Sequence, residues 1–389
     1  MRQSGPGVWR GGAKAILAAC VSAVIAVFPA TASATTASWT IVPSPNPGVL
    51  GELLDVTCVG ASDCWAVGGS QDYLQTLIEH NAGSGWVIVP SPKPTDGDTP
   101  RLYGVTCISA SDCWAVGWYI NRVISTYATL TDHYDGSNWT IIPSPNPGLY
   151  NELVSVKCVN ANDCWAVGEY STASARQQLI EQYTGGSWVV VAPGLSTGSL
   201  TDVACLSLLG DCWAVGKYGM CPNGPPGSTV CTLIEHNPGN GWVIVPSPVV
   251  TNSALAYLDG VTCVTSSDCW AVGWYIDTAN NWPSLTEHYD GSSWTIVLSP
   301  NIGNLSYVDR LTDVSCASAS DCWAVGYAAV FRDGGRVEST LIEHNTGSGW
   351  VVASQSPKGS QLNGIKCVSS RDCWAVGTYS LGTLVVHHK

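Results

Sequence analysis

The hexapeptide Asp-Cys-Trp-Ala-Val-Gly occurs seven times without a change, at Asp63–Gly68, Asp112–Gly117, Asp163–Gly168, Asp211–Gly216, Asp268–Gly273, Asp321–Gly326 and Asp372–Gly377. Its tryptophans recur about every 50 residues, a period at which one small supersecondary unit is stacked or arranged radially. Around each copy lie four short apolar runs. In the first unit Leu54, Val56 and Cys58 alternate with polar residues, Cys64–Gly68 follows a brief turn, and Thr76–His80 and Trp86–Val89 complete it. Period-2 alternation punctuated by Gly, Asn, Asp and Pro predicts a four-stranded antiparallel meander. No segment carries an apolar stripe at helical spacing.

The two ends of the chain decide how the units are joined. Trp39–Pro45 reads as an orphan fourth strand and matches Trp139–Pro145 closely, whereas Thr383–His387 is an orphan third strand with no tryptophan strand after it. A ring closed by a blade shared between the termini accounts for both, because pairing them removes the open sheet edge. The expected fold is therefore all-β: a seven-bladed β-propeller of four-stranded antiparallel blades, the last closed by the N-terminal strand.

Residues 1–34 read as a signal peptide. Arg2, Arg10 and Lys14 precede the apolar stretch Ala15–Phe28, and Ala32-Ser33-Ala34 forms a cleavage motif. Cys20 also sits in a lipoprotein-like box, but most of the apolar stretch follows it rather than precedes it. Residues 35–389 are then one exported propeller domain without stable membrane insertion.

Export makes a disulfide framework the expectation for the cysteines. Fourteen of the 17 form local pairs: Cys58/Cys64, Cys107/Cys113, Cys158/Cys164, Cys205/Cys212, Cys263/Cys269, Cys316/Cys322 and Cys367/Cys373. Cys221 and Cys231, in the fourth unit alone, form an eighth. A single C-x5-C supplies two of the four ligands that structural zinc needs, so no metal or other cofactor is expected. Each short closure is worth roughly 2 kcal/mol in the loop-entropy model. The formal charge of −13 argues against nucleic acid as a partner, since that needs basic patches.

The repeat resembles kelch-type propeller repeats, in which the second strand ends in glycines, the third ends in tyrosine and a tryptophan opens the fourth. Gly68-Gly69, and the pairs Tyr134/Trp139, Tyr183/Trp188 and Tyr289/Trp294, carry that similarity. The turns Asp135–Trp139 and Asp290–Trp294 are similar to the Asp-box of sialidase-like propellers. The resemblance implies a fold and leaves function open, since propellers host unrelated chemistries.

Six histidines (His80, His133, His236, His288, His344 and His387) occupy one repeated position, as do the acids Glu79, Asp132, Glu181, Glu235, Glu287 and Glu343. Residues at equivalent places in a ring do not converge, so both sets are expected to be structural. The hexapeptide aspartates are expected to accept turn N–H groups. Sialidase-like catalysis needs an arginine cluster and a Tyr/Glu pair, whereas the arginines here fall in separate loops. A glycan-acting hydrolase or lyase could still draw on Asp96, Asp98, Glu152, Asp277, Asp309, Asp333 or Glu338. Asp55, Asp202 and Asp313 on inner strands could hold a cation or water in the channel, but a plain solvated channel is the expectation. The loops after the second and fourth strands differ in every blade, which makes their face the expected recognition surface. Trp118, Tyr119 and Arg122, Trp274, Tyr275 and Trp282, and Phe331 and Arg332 are its candidate ligand-binding residues. The expected role is a non-catalytic, monomeric module for a carbohydrate or protein ligand. The alternatives are the glycan-acting enzyme and a structural cell-envelope protein.

Overall fold

A computed structural model describes residues 38–46, 51–70, 75–206, 210–219, 230–251, 253–302, 306–332, 335–354, 360–380 and 382–389. Among these, every regular element is a strand. In the first blade Gly51–Gly60, Asp63–Ser70, Thr76–Asn81 and Trp86–Ile88 pair antiparallel in chain order. The same meander recurs in five four-stranded sheets and one eight-stranded sheet. The larger sheet is two meanders joined by a single parallel pair, Val230 with Leu255. Divided there, the strands form seven meanders, one per hexapeptide.

The innermost strands lie side by side in chain order, and the last of them, Ser360–Ser369, packs against the first, Gly51–Gly60. Closure uses the N-terminus as expected. Trp39–Val42 pairs antiparallel with Gly382–His388, placing Trp39 opposite His388 and Val42 opposite Val385.

Each hexapeptide position has a separate task. Its cysteine lies directly opposite the inner-strand cysteine, and seven such disulfides form at Cα–Cα distances of 3.9–4.1 Å. The two halves of a bridge differ in a way that spacing does not reveal. The hexapeptide cysteines Cys64, Cys113, Cys164, Cys212, Cys269, Cys322 and Cys373 are all buried, each among the apolar side chains between blades. Their partners Cys58, Cys107, Cys158, Cys205, Cys263 and Cys316 are only half-buried, and Cys367 alone is buried with its mate. The seven expected hairpin pairs form, and their hexapeptide cysteines do more than staple. They are core residues too, because strand two alternates its side chains between two packed faces and has no solvent face to offer them.

Cys231 is also disulfide-bonded, whereas Cys221 and residues 1–34, read above as a signal peptide, lie outside the described residues. The bridges fit an oxidising, extracellular environment. The hexapeptide glycine admits a bulge. Leu53 opposes Gly68 but Asp55 opposes Val67, so Leu54 is the extra residue. A Cβ on Gly68 would lie 2.0 Å from the Glu52 carbonyl oxygen, and the six equivalent glycines are as tightly placed.

The aspartate does something other than cap its turn. Asp63 Oδ1 takes a bond from His80 Nε2 at 2.7 Å, and the other five histidines bond their own blade's aspartate at 2.5–2.9 Å. Gln182 does the same for Asp163 at 2.9 Å. Each of these histidines stacks on its blade's hexapeptide tryptophan, with centroids 3.7–4.3 Å apart. The expectation that these aspartates accept turn N–H groups is therefore corrected: their bonds come from the imidazole, or from Gln182, on the adjacent third strand. The turns before the fourth strands are capped instead by Asn81, Asn237 and Asn345, or by Asp135 and Asp290.

Blades are joined to one another by tryptophan. Each hexapeptide tryptophan meets the fourth-strand tryptophan of the next blade edge to face. The pairs are 65/139, 114/188, 165/242, 213/294, 270/350, 323/39 and 374/86, at 5.3–5.5 Å. Such pairs contribute about 0.5–1.5 kcal/mol beyond their buried area.

Buried acids bridge the same seams. Ser44 donates to Glu79 at 2.8 Å, Ser144 to Glu181 at 2.5 Å, and Ser299 to Glu343 at 2.6 Å, each from the neighbouring blade. Ser247 does the same for Glu287 at 3.0 Å, and the Gly194 and Leu195 N–H groups serve Glu235. Asp132, one methylene shorter, has no partner on either oxygen among the described residues. Burial pushes Glu79 up to about 7 and Glu181, Glu287, Glu343 and Asp132 up to about 8.

Two expectations follow. A folded-state pKa above the unfolded value stabilises fully at low pH, and this stabilisation is lost as pH rises through the folded value. Thermal stability should therefore fall between about pH 5 and pH 9, and Glu287→Gln with Glu343→Gln should shallow that fall in melts run across pH; an unchanged slope would contradict it. Second, a chain starting at Gly48 should aggregate or lose cooperative melting, because Trp323 and Gly382–His388 lose their partners. Unchanged melting with monomeric elution would count against closure by the N-terminal strand.

Candidate functional site

The inner strands all begin on one face of the ring, the face that also carries the variable loops. In each, a fully buried leucine (Leu53 and its equivalents) anchors the strand, and the residue before it faces away from that core. At six blades this residue is Glu52, Arg101, Glu152, Ser199, Tyr257 or Arg310. Opposite them in register stand Gly69, Trp118, Glu169, Lys217, Trp274 and Tyr327. The result is a crown of charges and rings around the channel mouth.

Its cations are paired in sequence round the ring. Arg101 meets Glu52 at 2.5 Å, Arg176 meets Glu169 at 3.0 Å, and Arg310 Nε donates to Asp259 at 2.9 Å. Arg101, Arg176 and Arg310 thus come to one mouth although they are far apart in sequence, whereas Arg122 pairs with Asp98 in its own blade. Each has its own carboxylate. Lys217 instead lies 4.8 Å over the Tyr257 ring, and burial lowers its pKa against the pull of Glu169 and Asp259.

Two aromatic groups flank these charges. On one side the Trp118 indole donates to Tyr103 Oη at 3.2 Å, and Tyr127 packs against both Trp118 and Tyr150 at 4.9 and 4.6 Å. Tyr150 Oη donates to Glu152. Burial and that carboxylate drive the Tyr150 phenol above its ordinary value, which keeps its proton in the bond to Glu152. Glu152 is itself raised by burial, against the pull of Tyr150, Arg176 and Arg101. On the other side Trp274 stacks on Tyr257 at 4.2 Å and on Trp282 at 4.9 Å, with Arg310 5.3 Å over its ring.

The candidate ligand residues fare unequally. Trp118 and Tyr119 are half-buried, as are Tyr275 and Trp282. Trp274, expected to be exposed, is only 7% so, because its neighbours stack upon it. Arg122 is exposed and pairs with Asp98. Phe331 and Arg332 close a hairpin in backbone register, and their side chains lie outside the described set. No ring contact joins the Trp118 group to the Trp274 group among the described residues; they occupy matching positions three blades apart.

Most of the proposed carboxylates are structural. Asp96 accepts from Asn121 at 2.7 Å, Asp277 caps its own turn, buried Asp309 accepts from the Ile302 N–H, and Glu338 accepts from Gln361. Asp333 lies outside the described residues. The six repeated histidines sit at the opposite end of the blades, beside the cysteine hairpins. Sequence reasoning missed Arg101, Tyr103, Lys217, Tyr257 and Arg310. For Arg101, Tyr257 and Arg310 the signal was present, since the residue before an otherwise constant leucine varies from blade to blade; Lys217 follows the hexapeptide glycine, at a position that varies likewise, and Tyr103 carried no such signal.

Behind the mouth the inner strands enclose a cavity of about 420 Å³. Asp55, Asp202 and Asp313 border it, but their oxygens accept backbone N–H groups of their own and a neighbouring blade. Asp55 binds Val56 and Val105, Asp202 binds Val203 and Val261, and Asp313 binds Val314 and Ile365, all at 2.7–2.8 Å. No group of three or more metal-ligating side chains occurs among the described residues. These aspartates tie blades together.

No protein-family model and no curated protein sequence matches the chain. Among solved structures it is similar to a polysaccharide lyase, an ulvan lyase, at 11% identity and TM-score 0.50, covering 90% of this chain and 95% of that one. It is also similar to Sqt1 from Chaetomium thermophilum at 11% identity and TM-score 0.49, covering 87% and 95%. The lyase likeness supports a β-propeller-like fold and goes no further.

One consequence concerns stability. Trp274→Ala should destabilise the ring by about 3–5 kcal/mol in denaturant melts, as truncating a buried indole does. A loss below about 1 kcal/mol would return Trp274 to the surface-ligand set.

Proposed function

We propose that this is an exported, monomeric, non-catalytic binding protein that takes a carbohydrate at the crown around its channel mouth. One observation carries the reading: aromatic rings and paired charges alternate round a single rim. Sugar rings present C–H faces that stack on Trp and Tyr and hydroxyls that bond Arg and carboxylate groups. Tyr257, Trp282 and Trp118 supply the rings, while Lys217, Arg310 and Glu152 supply the polar contacts. The leader at residues 1–34 and the disulfide staples support export. A solved structure of like fold is a polysaccharide lyase, which is compatible with a glycan ligand.

A second reading, a glycan-cleaving enzyme, draws on one further feature. Glu152 lies directly opposite Glu169, and burial raises both. Two carboxylates are the minimum for glycoside hydrolysis. Against it, Glu169 is held by Arg176 and Glu152 by Tyr150, and burial raises the Tyr103, Tyr150 and Tyr257 phenols rather than activating them.

The test is a glycan array and a protein array probed with the folded chain, followed by titration calorimetry. Tyr257→Ala with Lys217→Met should weaken a glycan hit at least tenfold, about 1.4 kcal/mol, while leaving the fold intact. Protein hits without glycan hits would sink the carbohydrate reading. Shortened or unsaturated oligosaccharide products, abolished by Glu152→Gln, would replace it with the enzyme.

A further inference from the structure

The cavity behind the mouth is walled by polar groups, and nearly all of them serve the ring itself. The three aspartates bind backbone N–H groups. Thr201 and Thr312 donate to carbonyls of their own and a neighbouring blade at 2.7–3.0 Å, Asn363 donates to the Leu53 carbonyl at 2.8 Å, and Ser315 accepts the Cys367 N–H at 3.0 Å. Two groups are left over. Lys157 and Lys366 both line the cavity, and among the described residues neither ammonium makes a hydrogen bond or an ion pair within 4 Å. They occupy the same layer, one residue beyond the buried Val156 and Ile365, on inner strands three blades apart. Thr57, Thr106 and Thr262 share that layer and also line the cavity.

A buried or half-buried ammonium carries three N–H donors and costs free energy when they find no acceptor. Two such groups facing one lumen repel each other as well. Burial first, and Lys157 second, push the Lys366 amino group down to about 8. The aspartates attract both amines from beyond 4 Å, and each carboxylate is engaged by two backbone N–H groups. The ammonium N–H groups, three on each lysine, remain as donors for an anion.

We propose that the channel centre is an anion-binding site in which Lys157 and Lys366 clasp one small oxyanion of the carboxylate, phosphate or sulfate class. It lies deeper than the crown and is independent of any glycan bound there. The layer's threonine hydroxyls supply the neutral donors that complete the anion's shell, and the enclosure by all seven inner strands strengthens each contact relative to water.

The experiment titrates the folded wild-type chain with phosphate, sulfate and succinate, reading heat and melting temperature, with calcium as the opposite-charge probe. Saturable binding of one anion per chain is expected. Lys157→Met with Lys366→Met should weaken it at least tenfold, whereas the exposed Lys93→Met should leave it unchanged. If the double methionine variant fails to fold, two further readouts decide. Lys157→Arg with Lys366→Arg should retain binding, and in the methylated wild-type protein the Lys157 and Lys366 amine resonances should move on adding phosphate. No saturable response to any of the three anions, full affinity in the methionine variant, unmoved amine resonances or stabilisation by calcium alone would overturn the proposal.

Discussion

The edge-to-face contact between tryptophans of successive blades is the interaction on which the molecule depends. It is made seven times, and the Trp323–Trp39 pair joins residues from opposite ends of the chain in one seam. An individual contact is weak, but a ring requires every seam to hold at once. The hexapeptide tryptophan is set for this task from behind. In six blades the imidazole stacked on it is held by the aspartate two residues before the tryptophan, so three side chains act as one rigid wedge. In the third blade Gln182 bonds Asp163 in place of the histidine, and Trp165 still meets Trp242 edge to face.

Rigid outer seams leave the inner strands with a different problem, since they crowd where the ring is narrowest. The bulge after each buried leucine, admitted by the hexapeptide glycine, turns the strand and redirects the side chains before and after it. Upstream side chains go to the mouth and form the crown. Downstream, Asp55, Asp202 and Asp313 reach sideways to the neighbouring blade's N–H groups, and glycine at 260 and 364 leaves room for the backbone of Asp313 and Asp55, as Gly104 does for that of Ser155. Gly364 would place a Cβ 2.8 Å from the Asp55 Cα. Charged groups are thereby sorted by depth: acids bonded to backbone inside the channel, ion pairs at the rim, and two lysines in the lumen.

The crown itself joins stability and recognition in the same residues. Arg310 holds Asp259 while lying over Trp274, and Trp274 in turn supports Tyr257 and Trp282. A ligand meeting the outer rings would touch a surface braced from beneath. Such bracing reduces the ordering cost of binding.

The repeated hexapeptide, the cysteine spacing and the unmatched strands at the two termini determined the architecture from sequence alone, because a meander's hydrogen bonds and hairpin bridges are local and recur with the repeat. Six histidines at one position likewise revealed themselves as structural, since a ring carries equivalent residues apart. Which side chains meet at the mouth was a matter for the tertiary structure. Arg101, Arg176, Lys217 and Arg310 are far apart along the chain, and only closure of the ring brings them around one rim. The same holds for Trp274: its sequence neighbours do not reveal that Tyr257 and Trp282 cover it. The burial of Cys113 or Cys269, as against the half-exposure of Cys107 or Cys263, is likewise set by the blade packed alongside. Whether an indole is exposed, or an aspartate free, depends on what a neighbouring strand or blade places against it, and spacing within one repeat does not encode that.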